Sequence, residues 1–189
     1  IGSGLVGSEM CIRDRNYIID INIQDRFFVE EFTSILLRKI LTPFTTGFVD
    51  LQSPSGIINS VIVYNYDGYV YASDESRMLA EYNDYTFKLG HVTDRYESIF
   101  YGRKAQQIAL IWGTEFITGC ADCAFQSYCG ADPVRNYSAQ NDMYGFRPTS
   151  SLCKKHKAII TYLFYLIQNE HDRVMPIFKQ WINRNENEF

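Results

Sequence analysis

The chain has 189 residues, of which 46% are hydrophobic and 21% are charged, a balance typical of soluble globular proteins. Its 18 basic and 22 acidic side chains give a net charge of −4, which offers no broad positive field to a nucleic acid or an anionic membrane. No apolar run reaches the roughly 18 residues that a membrane helix needs, and the first residues lack the basic start and apolar core of a secretory signal. We therefore expect a soluble, cytoplasmic protein with no nucleic-acid and no membrane partner.

The first 15 residues stand apart from the rest of the sequence. The chain begins with isoleucine, which we interpret as a processed or truncated start. The stretch GSEMCIRDR, Gly7 to Arg15, resembles a peptide that arises when sequencing-adapter read-through is translated. We therefore predict that residues 1–15 are non-native and that Cys11 carries no chemistry, with a genuine flexible terminus as the alternative.

The first predicted element is a helix from Gln24 to Ile40, because apolar residues recur there at helical spacing and Pro43 follows as a stop. The residues of this apolar face are Phe28, Phe32, Ile35, Leu36 and Ile40. Next, the run from Ser60 to Glu75 is rich in β-branched and aromatic residues on both sides of Asp67-Gly68. It predicts a β-hairpin closed by a two-residue turn that needs positive φ.

The rest of the chain is predicted to combine short elements with one long loop. The elements are, in order, a helix or loop over residues 74–84, a strand from Phe87 to Val92, a helix from Tyr96 to Trp112, a loop from Gly119 to Cys153 and a helix from Lys154 to Gln168. The predicted buried stripe of the last helix is Ile159, Ile160, Leu163, Phe164 and Ile167. A loop of about 35 residues is unusual in a compact domain unless function or a cross-link holds it together. Together these elements predict an α+β fold with a small hairpin sheet.

Four of the five cysteines belong to this loop-rich segment, as Cys120-x2-Cys123-x5-Cys129 and, after a gap of 23 residues, Cys153. A C-x2-C pair can bring two thiolates to one metal centre through a tight turn, and the two more distant cysteines can complete the ligand set. The spacing leaves three interpretations open: disulfides, a structural zinc ion and an iron–sulfur cluster. Disulfides need an oxidising compartment, zinc usually takes two close cysteine pairs, and uneven spacing suits a cluster at least as well as zinc.

Other side chains give no sign of a catalytic site in these 189 residues. His156 follows Cys153 by three residues and could replace a thiolate, although a partly exposed histidine in the first turn of a helix is the simpler interpretation. His91 and His171 stand alone in the sequence, and no H-E-x-x-H, G-x-S-x-G, Walker or G-x-G-x-x-G pattern is present. We therefore assign no catalytic residue.

The cysteine segment resembles the C-terminal auxiliary-cluster domain, called SPASM, of radical SAM peptide-modifying enzymes. The signature of that domain has two cysteines around a glycine, then C-x2-C-x5-C-x3-C and one last cysteine. In this chain Ser55 and Ser73 stand at the first two positions, at the matching distances from Gly68, and Pro133 stands at the x3-C position. The cysteines that match the signature are Cys120, Cys123, Cys129 and Cys153.

The resemblance implies that one whole set of ligands is lost and that the other is retained. In that family each set supplies one cluster, so a chain with only the second set would bind a single auxiliary [4Fe-4S] cluster. The implied metal and cofactor ligands are Cys120, Cys123, Cys129 and Cys153. Ser55 and Ser73 then become ordinary strand-end residues, with a serine oxygen as an occasional cluster ligand as the alternative.

More narrowly, several blocks between residues 37 and 167 resemble the radical SAM maturase of the His-Xaa-Ser peptide system. The blocks are LRKILTP, VDLQSPSG, VYNYDGYVYASDESRMLAE, LGHV, CADCAFQSYCGADPV and RPTSSLC. The resemblance implies a ribosomally made precursor peptide as substrate and a second radical SAM maturase as partner. It also implies an N-terminal (β/α) barrel that binds S-adenosylmethionine and its cleaving [4Fe-4S] cluster through C-x3-C-x2-C. That triplet does not occur in these 189 residues, so we expect a C-terminal part of such an enzyme that is not active alone.

The resemblance further implies how the chain is organised. Residues 16–45 would be the end of the truncated barrel, residues 46–169 the SPASM-like auxiliary-cluster domain, and residues 170–189 a tail helix. Because four thiolates leave no open iron, the cluster would transfer electrons or maintain the architecture of the substrate domain. The main alternative is a zinc-binding four-cysteine module that docks a peptide on the exposed edge of the hairpin sheet, without redox activity. A third possibility is cysteines that bind no metal.

Overall fold

The computed structural model describes residues 3–44, 46–48, 51–111, 113–130 and 132–184, with the backbone alone described for residues 3–9 and 184. The chain divides into two units. The helical unit consists of Ile1–Thr46 and Pro148–Phe189, and the sheet unit consists of Gly47–Arg147.

The described secondary structure is mainly helical. In chain order the helices are α1 (Ser3–Ile23), α2 (Glu31–Leu41), α3 (Asp74–Ala80), α4 (Tyr96–Phe100), α5 (Arg103–Ala109), α6 (Pro133–Gln140), α7 (Ser151–Asn169) and α8 (His171–Arg184). The strands are β1 (Val63–Tyr64), β2 (Tyr69–Tyr71) and β3 (Lys88–His91). This combination of helices with a small antiparallel sheet confirms the predicted α+β class.

In the helical unit α1 packs against α7 and α8, and α2 packs against α8. Apolar side chains recur at three- and four-residue spacing along α7 and α8, so each helix presents one buried stripe to its neighbours. The buried residues are Ile159, Ile160, Leu163 and Leu166 on α7, and Val174, Ile177, Phe178 and Trp181 on α8. Helix α7 confirms the helix predicted from Lys154 to Gln168, although Phe164 and Ile167 are only half-buried.

Helix α2 begins after Glu30 rather than at Gln24, where the prediction placed its start. The Glu30 carboxylate accepts the N–H of Thr33 at 2.8 Å and so caps the N-terminus of the helix. Upstream, the backbone leaves the helical path at Asp25, whose φ is +59°. Phe28, predicted on the buried helical face, therefore lies outside the helix and is exposed.

The side chain of Arg15, from the segment that we interpret as non-native, is buried in the helical unit. Its guanidinium lies 3.1 Å from the Glu30 carboxylate, and it donates hydrogen bonds to Thr33 and, at 2.9 Å, to the carbonyl of Cys11. Helix α1 runs through residues 3–23 without a break at Asn16, and these contacts hold it to α2. The non-native origin of residues 1–15 stays a prediction.

The described strands of the sheet unit lie in the order β1-β2-β3, and both pairs are antiparallel. The predicted hairpin is confirmed, because β1 and β2 pair on either side of Asp67-Gly68, and β3 confirms the strand predicted after it. The turn differs from the prediction. The N–H of Gly68 donates to the carbonyl of Asn65 at 3.0 Å, and Gly68 has a φ of +82° whereas Asp67 keeps a negative φ. A longer hairpin loop that ends in a left-handed glycine therefore replaces the two-residue turn.

One apolar core joins the helices of the sheet unit to its strands. Its members come from the segment before β1, the residue after β2, the residue before β3, and helices α5 and α6. The buried residues are Ile57, Ala72, Phe87, Ile108 and Val134. Several partly buried side chains pack against this core, namely Ile58, Leu79, Leu89, Tyr137 and Met143.

The helix predicted from Tyr96 to Trp112 consists of two short helices, α4 and α5, that are separated at Gly102. A Cβ atom on Gly102 would lie 2.1 Å from the carbonyl oxygen of Ser98, so only glycine allows this close approach of the backbone. Trp112 itself lies outside the described residues. The prediction of one continuous helix is wrong because the apolar pattern carries no information about the close backbone approach of Gly102 to Ser98.

Helix α6 lies inside the stretch that was predicted as a loop from Gly119 to Cys153, so that prediction is wrong over these residues. The helix is set by local signals at its two ends. The Asp132 carboxylate accepts the N–H of Val134 at 2.9 Å, and Pro133 is the first helical residue. Asn141, with a φ of +56°, ends the helix in the left-handed conformation.

The division into units differs from the predicted domain limits at one boundary. The sheet unit ends at Arg147, and α7 packs in the helical unit, whereas the predicted SPASM-like segment extends to residue 169. The predicted limits follow a family signature and the observed division follows packing, so the domain assignment stays a prediction. Among the described residues, no helix combines the length and the apolar character that crossing a membrane requires.

Candidate metal centre

Three of the four predicted ligands lie in a run of tight turns in the sheet unit. The N–H of Cys123 donates to the carbonyl of Cys120 at 3.0 Å, so the C-x2-C pair spans a single turn. The N–H of Cys129 donates to the Gln126 carbonyl at 3.1 Å, directly after a short 3₁₀ turn. A C-x2-C pair within one turn has the ligand spacing that metal sites commonly use.

The fourth predicted ligand, Cys153, belongs to the helical unit and lies in the first turn of α7. Ser150 is the N-cap of this helix, and its Oγ accepts the N–H of Cys153 at 3.1 Å. The N-terminal turn of a helix favours negative charge, so a thiolate at this position is compatible with the helix dipole.

All five cysteines lie in the described part of the chain, where they are half-buried and none forms a disulfide. Within the described residues, no group of three or more Cys, His, Asp or Glu side chains is arranged as a metal site. The sequence-predicted ligand set draws on both units, with three cysteines from the sheet unit and Cys153 from the helical unit. The four-cysteine centre therefore stays a prediction.

A buried arginine close to Cys153 in sequence fits an anionic metal centre. Arg147 is 3% exposed, and its Nη1 atom has no hydrogen-bond partner among the described residues. Burying an unpaired cation is strongly unfavourable, so a buried guanidinium usually meets a negative charge. Arg147 precedes Cys153 by six residues, and a metal centre held by four thiolates carries net negative charge. The four thiols are the donor set of an iron–sulfur or zinc centre, and the unpartnered Nη1 of buried Arg147 would suit the negative charge of such a centre.

The three positions where the resemblance places lost ligands hold residues with local structural roles. Ser73 is fully buried and caps α3: its Oγ accepts the N–H of Ser76, and its own N–H donates to Ser76 Oγ at 2.8 Å. Ser55 is also fully buried, and its Oγ accepts the N–H of Ile57 at 3.4 Å. Pro133 is the first residue of α6. Ser73 thus starts a helix, which refines its prediction as a strand-end residue.

The histidines occupy separate places. His156 is 4% exposed because α2 covers it, with the ring of Phe32 at 5.6 Å, so the prediction of a partly exposed side chain is wrong. His91 makes an edge contact with Tyr69 at 5.3 Å. His171 is exposed at the start of α8. In the described part of the chain, none of them joins a group of metal ligands.

Sequence reasoning missed two features of the sheet unit. The first is a cleft of about 320 Å³ between α3 and α6, lined by Glu75, Met78, Leu79, Tyr82, Asp132, Val134, Arg135 and Ser138. No sequence signal pointed to it because α6 was not predicted. The second is Lys88, whose Nζ lies 4.0 Å from the ring centroid of Tyr69 and 5.0 Å from that of Tyr85. The register of β2 and β3 brings Lys88 to Tyr69, whereas a local turn brings it to Tyr85, and the sequence does not reveal that register.

Comparison with known proteins identifies a likeness in fold. No protein-family model and no curated protein sequence matches the chain. A solved structure described as histidine-tagged anSMEcpe with bound AdoMet matches it with a TM-score of 0.62 and 15% sequence identity, over 94% of this chain and 44% of that chain. This chain therefore spans less than half the length of that protein. The likeness shows that the chain has the fold of the corresponding part of an AdoMet-binding protein.

Proposed function

We propose that this chain is the C-terminal part of a radical SAM enzyme that modifies a ribosomally made peptide. The observation that carries the proposal is the fold match to an AdoMet-binding protein over 94% of the chain. The cysteine spacing, which resembles that of SPASM domains, supports the same class of enzyme. Within this class we propose a precursor peptide of the His-Xaa-Ser type as substrate and a second radical SAM maturase as partner.

In this proposal four thiolates of the chain hold one auxiliary [4Fe-4S] cluster. The ligands are Cys120, Cys123, Cys129 and Cys153. When bound, such a cluster supplies electron transfer or fixes the architecture of the substrate domain, because four thiolates leave no iron open to substrate. AdoMet and the cluster that cleaves it would bind to a barrel that precedes this part of the protein.

The residues around these cysteines have roles that their structure supports. The single turn between Cys120 and Cys123 keeps the two residues adjacent, and Ser150 fixes the backbone of Cys153 at the start of α7. Arg147, which is buried and precedes Cys153 by six residues, would in this proposal supply a positive charge that lowers the electrostatic cost of an anionic centre.

Anaerobic reconstitution of the full chain with iron and sulfide tests the proposal. We expect close to four iron and four sulfide per chain, with the broad visible absorbance of a [4Fe-4S] cluster. A chain that binds one zinc ion and no iron, and that has no visible absorbance, would contradict it.

The second candidate is a domain that is stabilised by a structural zinc ion, docks a peptide and has no redox activity. The C-x2-C turn favours it, because zinc sites use the same spacing, and Arg147 would balance a four-thiolate zinc centre equally well. Metal analysis of the chain purified without added metal separates the two candidates, since only this one predicts stoichiometric zinc that iron and sulfide do not displace.

A further inference from the structure

Strand β1 forms an edge of the sheet in the described part of the chain, because the strands lie in the order β1-β2-β3. Asn65 donates its N–H to the carbonyl of Tyr69 at 2.9 Å, so these two residues form a hydrogen-bonded pair of the ladder. In an antiparallel ladder such pairs alternate with pairs that exchange no hydrogen bond. The next pair, Tyr64 with Val70, is therefore of the second kind, and the N–H and C=O of Tyr64 point away from β2.

Strand β1 is short, with two residues, but its side chains are not of the kinds that usually block strand addition. Edge strands are commonly protected by lysine, proline or inward-pointing charge. The stretch from Val61 to Tyr64 reads Val-Ile-Val-Tyr, which has high β-propensity and contains none of these residues. The outward-facing backbone of Tyr64 is thus available for a further strand.

Exposed tyrosines surround this edge. Tyr64 is 60% exposed in β1 and Tyr66 is 93% exposed in the turn, and neither ring has a stacking or cationic partner among the described residues. On β2, the ring of Tyr69 already holds the ammonium of Lys88 at 4.0 Å. This internal cation–π contact shows the kind of group that a tyrosine of this sheet accepts.

The charge of the sheet unit favours a basic ligand. Gly47–Arg147 contains seven basic and twelve acidic side chains, a net charge of −5, whereas the helical unit has eleven basic and ten acidic side chains. Asp67 lies in the turn beside Tyr66. Burial is the main cause that raises the pKa of Tyr71 in the neighbouring strand, and the charges of Asp67 and Glu81 raise it further. Negative potential therefore reaches the sheet next to its open edge.

We propose that the outer edge of β1 binds an extended peptide segment rich in lysine or arginine. The segment adds a strand through the backbone of Tyr64 and places basic side chains on the rings of Tyr64 and Tyr66. The inference deepens the peptide-modifying function proposed above, on which it rests for the class of substrate. A second copy of this acidic unit does not fit the edge electrostatically, because like charges would be brought together.

Fluorescence anisotropy with the full, metal-free chain tests this inference. The probes are labelled peptides of equal length, one of alternating Lys and Val, one of alternating Glu and Val, and the Lys-Val peptide N-methylated on the face that would pair with β1. We expect saturable binding of the Lys-Val peptide, and affinity lower by at least about tenfold for the other two. Equal binding of all three peptides would overturn the proposal.

Two variants of the chain test the same edge. Tyr64→Pro removes the outward N–H but no β1–β2 hydrogen bond, and Tyr64→Val keeps the N–H while removing the ring. We expect about a tenfold loss of affinity in Y64P and a smaller loss in Y64V. If Y64P does not fold, as judged by circular dichroism, the N-methylated peptide alone decides. Unchanged binding to a folded Y64P, or a dimer that Y64P dissociates, would overturn the proposal, while metal loading tests the proposed function separately.

Discussion

Ser73 and Ser76 form reciprocal side-chain to backbone hydrogen bonds at the start of helix α3. The Oγ of Ser73 accepts the N–H of Ser76 at 3.2 Å, the Oγ of Ser76 accepts the N–H of Ser73 at 2.8 Å, and Ser76 also donates to the Ser73 carbonyl at 2.7 Å. Both side chains are buried, so these bonds satisfy backbone groups that water does not reach. Ser73, which stands where the sequence resemblance places a cysteine, therefore has a structural role of its own.

We predict that Ser73→Ala lowers the free energy of unfolding by about 1 to 2 kcal/mol, because the buried N–H of Ser76 loses its acceptor. Urea denaturation followed by circular dichroism measures the loss. Ser127→Ala, at an exposed position of the same unit, is the matched control and should stay within about 0.5 kcal/mol of the parent chain. Equal stability of S73A and the parent chain would contradict the capping role.

Gly102→Ala should destabilise the chain by about 1 to 3 kcal/mol, because backbone must move to accept the new methyl group. The added carbon would lie 2.1 Å from the carbonyl oxygen of Ser98. Gln107→Ala, an exposed position on α5, is the control. Thermal and urea unfolding measure the difference, and a G102A chain as stable as Q107A would show that α4 and α5 do not need this contact.

Burial raises the pKa of Tyr71, and Asp67, Tyr85 and Glu81 raise it further. Because the folded pKa exceeds the unfolded value of about 10, this contribution to stability is complete below pH about 10 and is lost as the pH rises through the folded pKa. Tyr71→Phe should therefore flatten the fall of the urea midpoint on the alkaline side. Tyr66→Phe is the exposed control, and identical alkaline slopes for Y71F and the parent chain would refute the prediction.

Arg147→Met should have opposite effects on the metal-free and the reconstituted chain. Without metal, replacing a buried guanidinium whose Nη1 has no partner among the described residues by an apolar side chain should leave the free energy of unfolding unchanged or raise it. After reconstitution, loss of the positive charge should make iron loss to a chelator about tenfold faster, which corresponds to roughly 1.4 kcal/mol. Arg147→Lys, which keeps a cation, is the control. Identical rates of iron loss from R147M, R147K and the parent chain would show that Arg147 does not stabilise the metal centre.

The elements that the sequence predicts correctly are those with a strong local period or a specific turn residue. The stripe of Ile159, Ile160 and Leu163 predicts α7, and the position of Gly68 between two β-rich runs predicts the hairpin. Helix α6 has only eight residues and no such apolar period. Local caps define both of its ends. Its start depends on Asp132, whose capping role is visible only once the helix is known.

The candidate site divides in the same way. Cysteine spacing identifies Cys120 and Cys123 as a pair, and the structure places them in one turn. The burial of Arg147 depends on tertiary packing, and the position of Lys88 over Tyr69 depends on strand register. No local sequence pattern predicts either. Metal-ligand geometry is a tertiary property as well, and within the described residues the thiols are not gathered as a metal site.

The proposed function requires that four cysteines of this chain together hold one cluster. Its most direct test is anaerobic reconstitution of the parent chain and of single Cys→Ala variants, with iron and sulfide measured per chain. The variants are Cys11→Ala, Cys120→Ala, Cys123→Ala, Cys129→Ala and Cys153→Ala. We predict close to four iron and four sulfide in the parent chain and in C11A, and less than about half of this in each of the other four. A full cluster in C153A or C120A, or a parent chain that binds zinc and no iron, would contradict the claim.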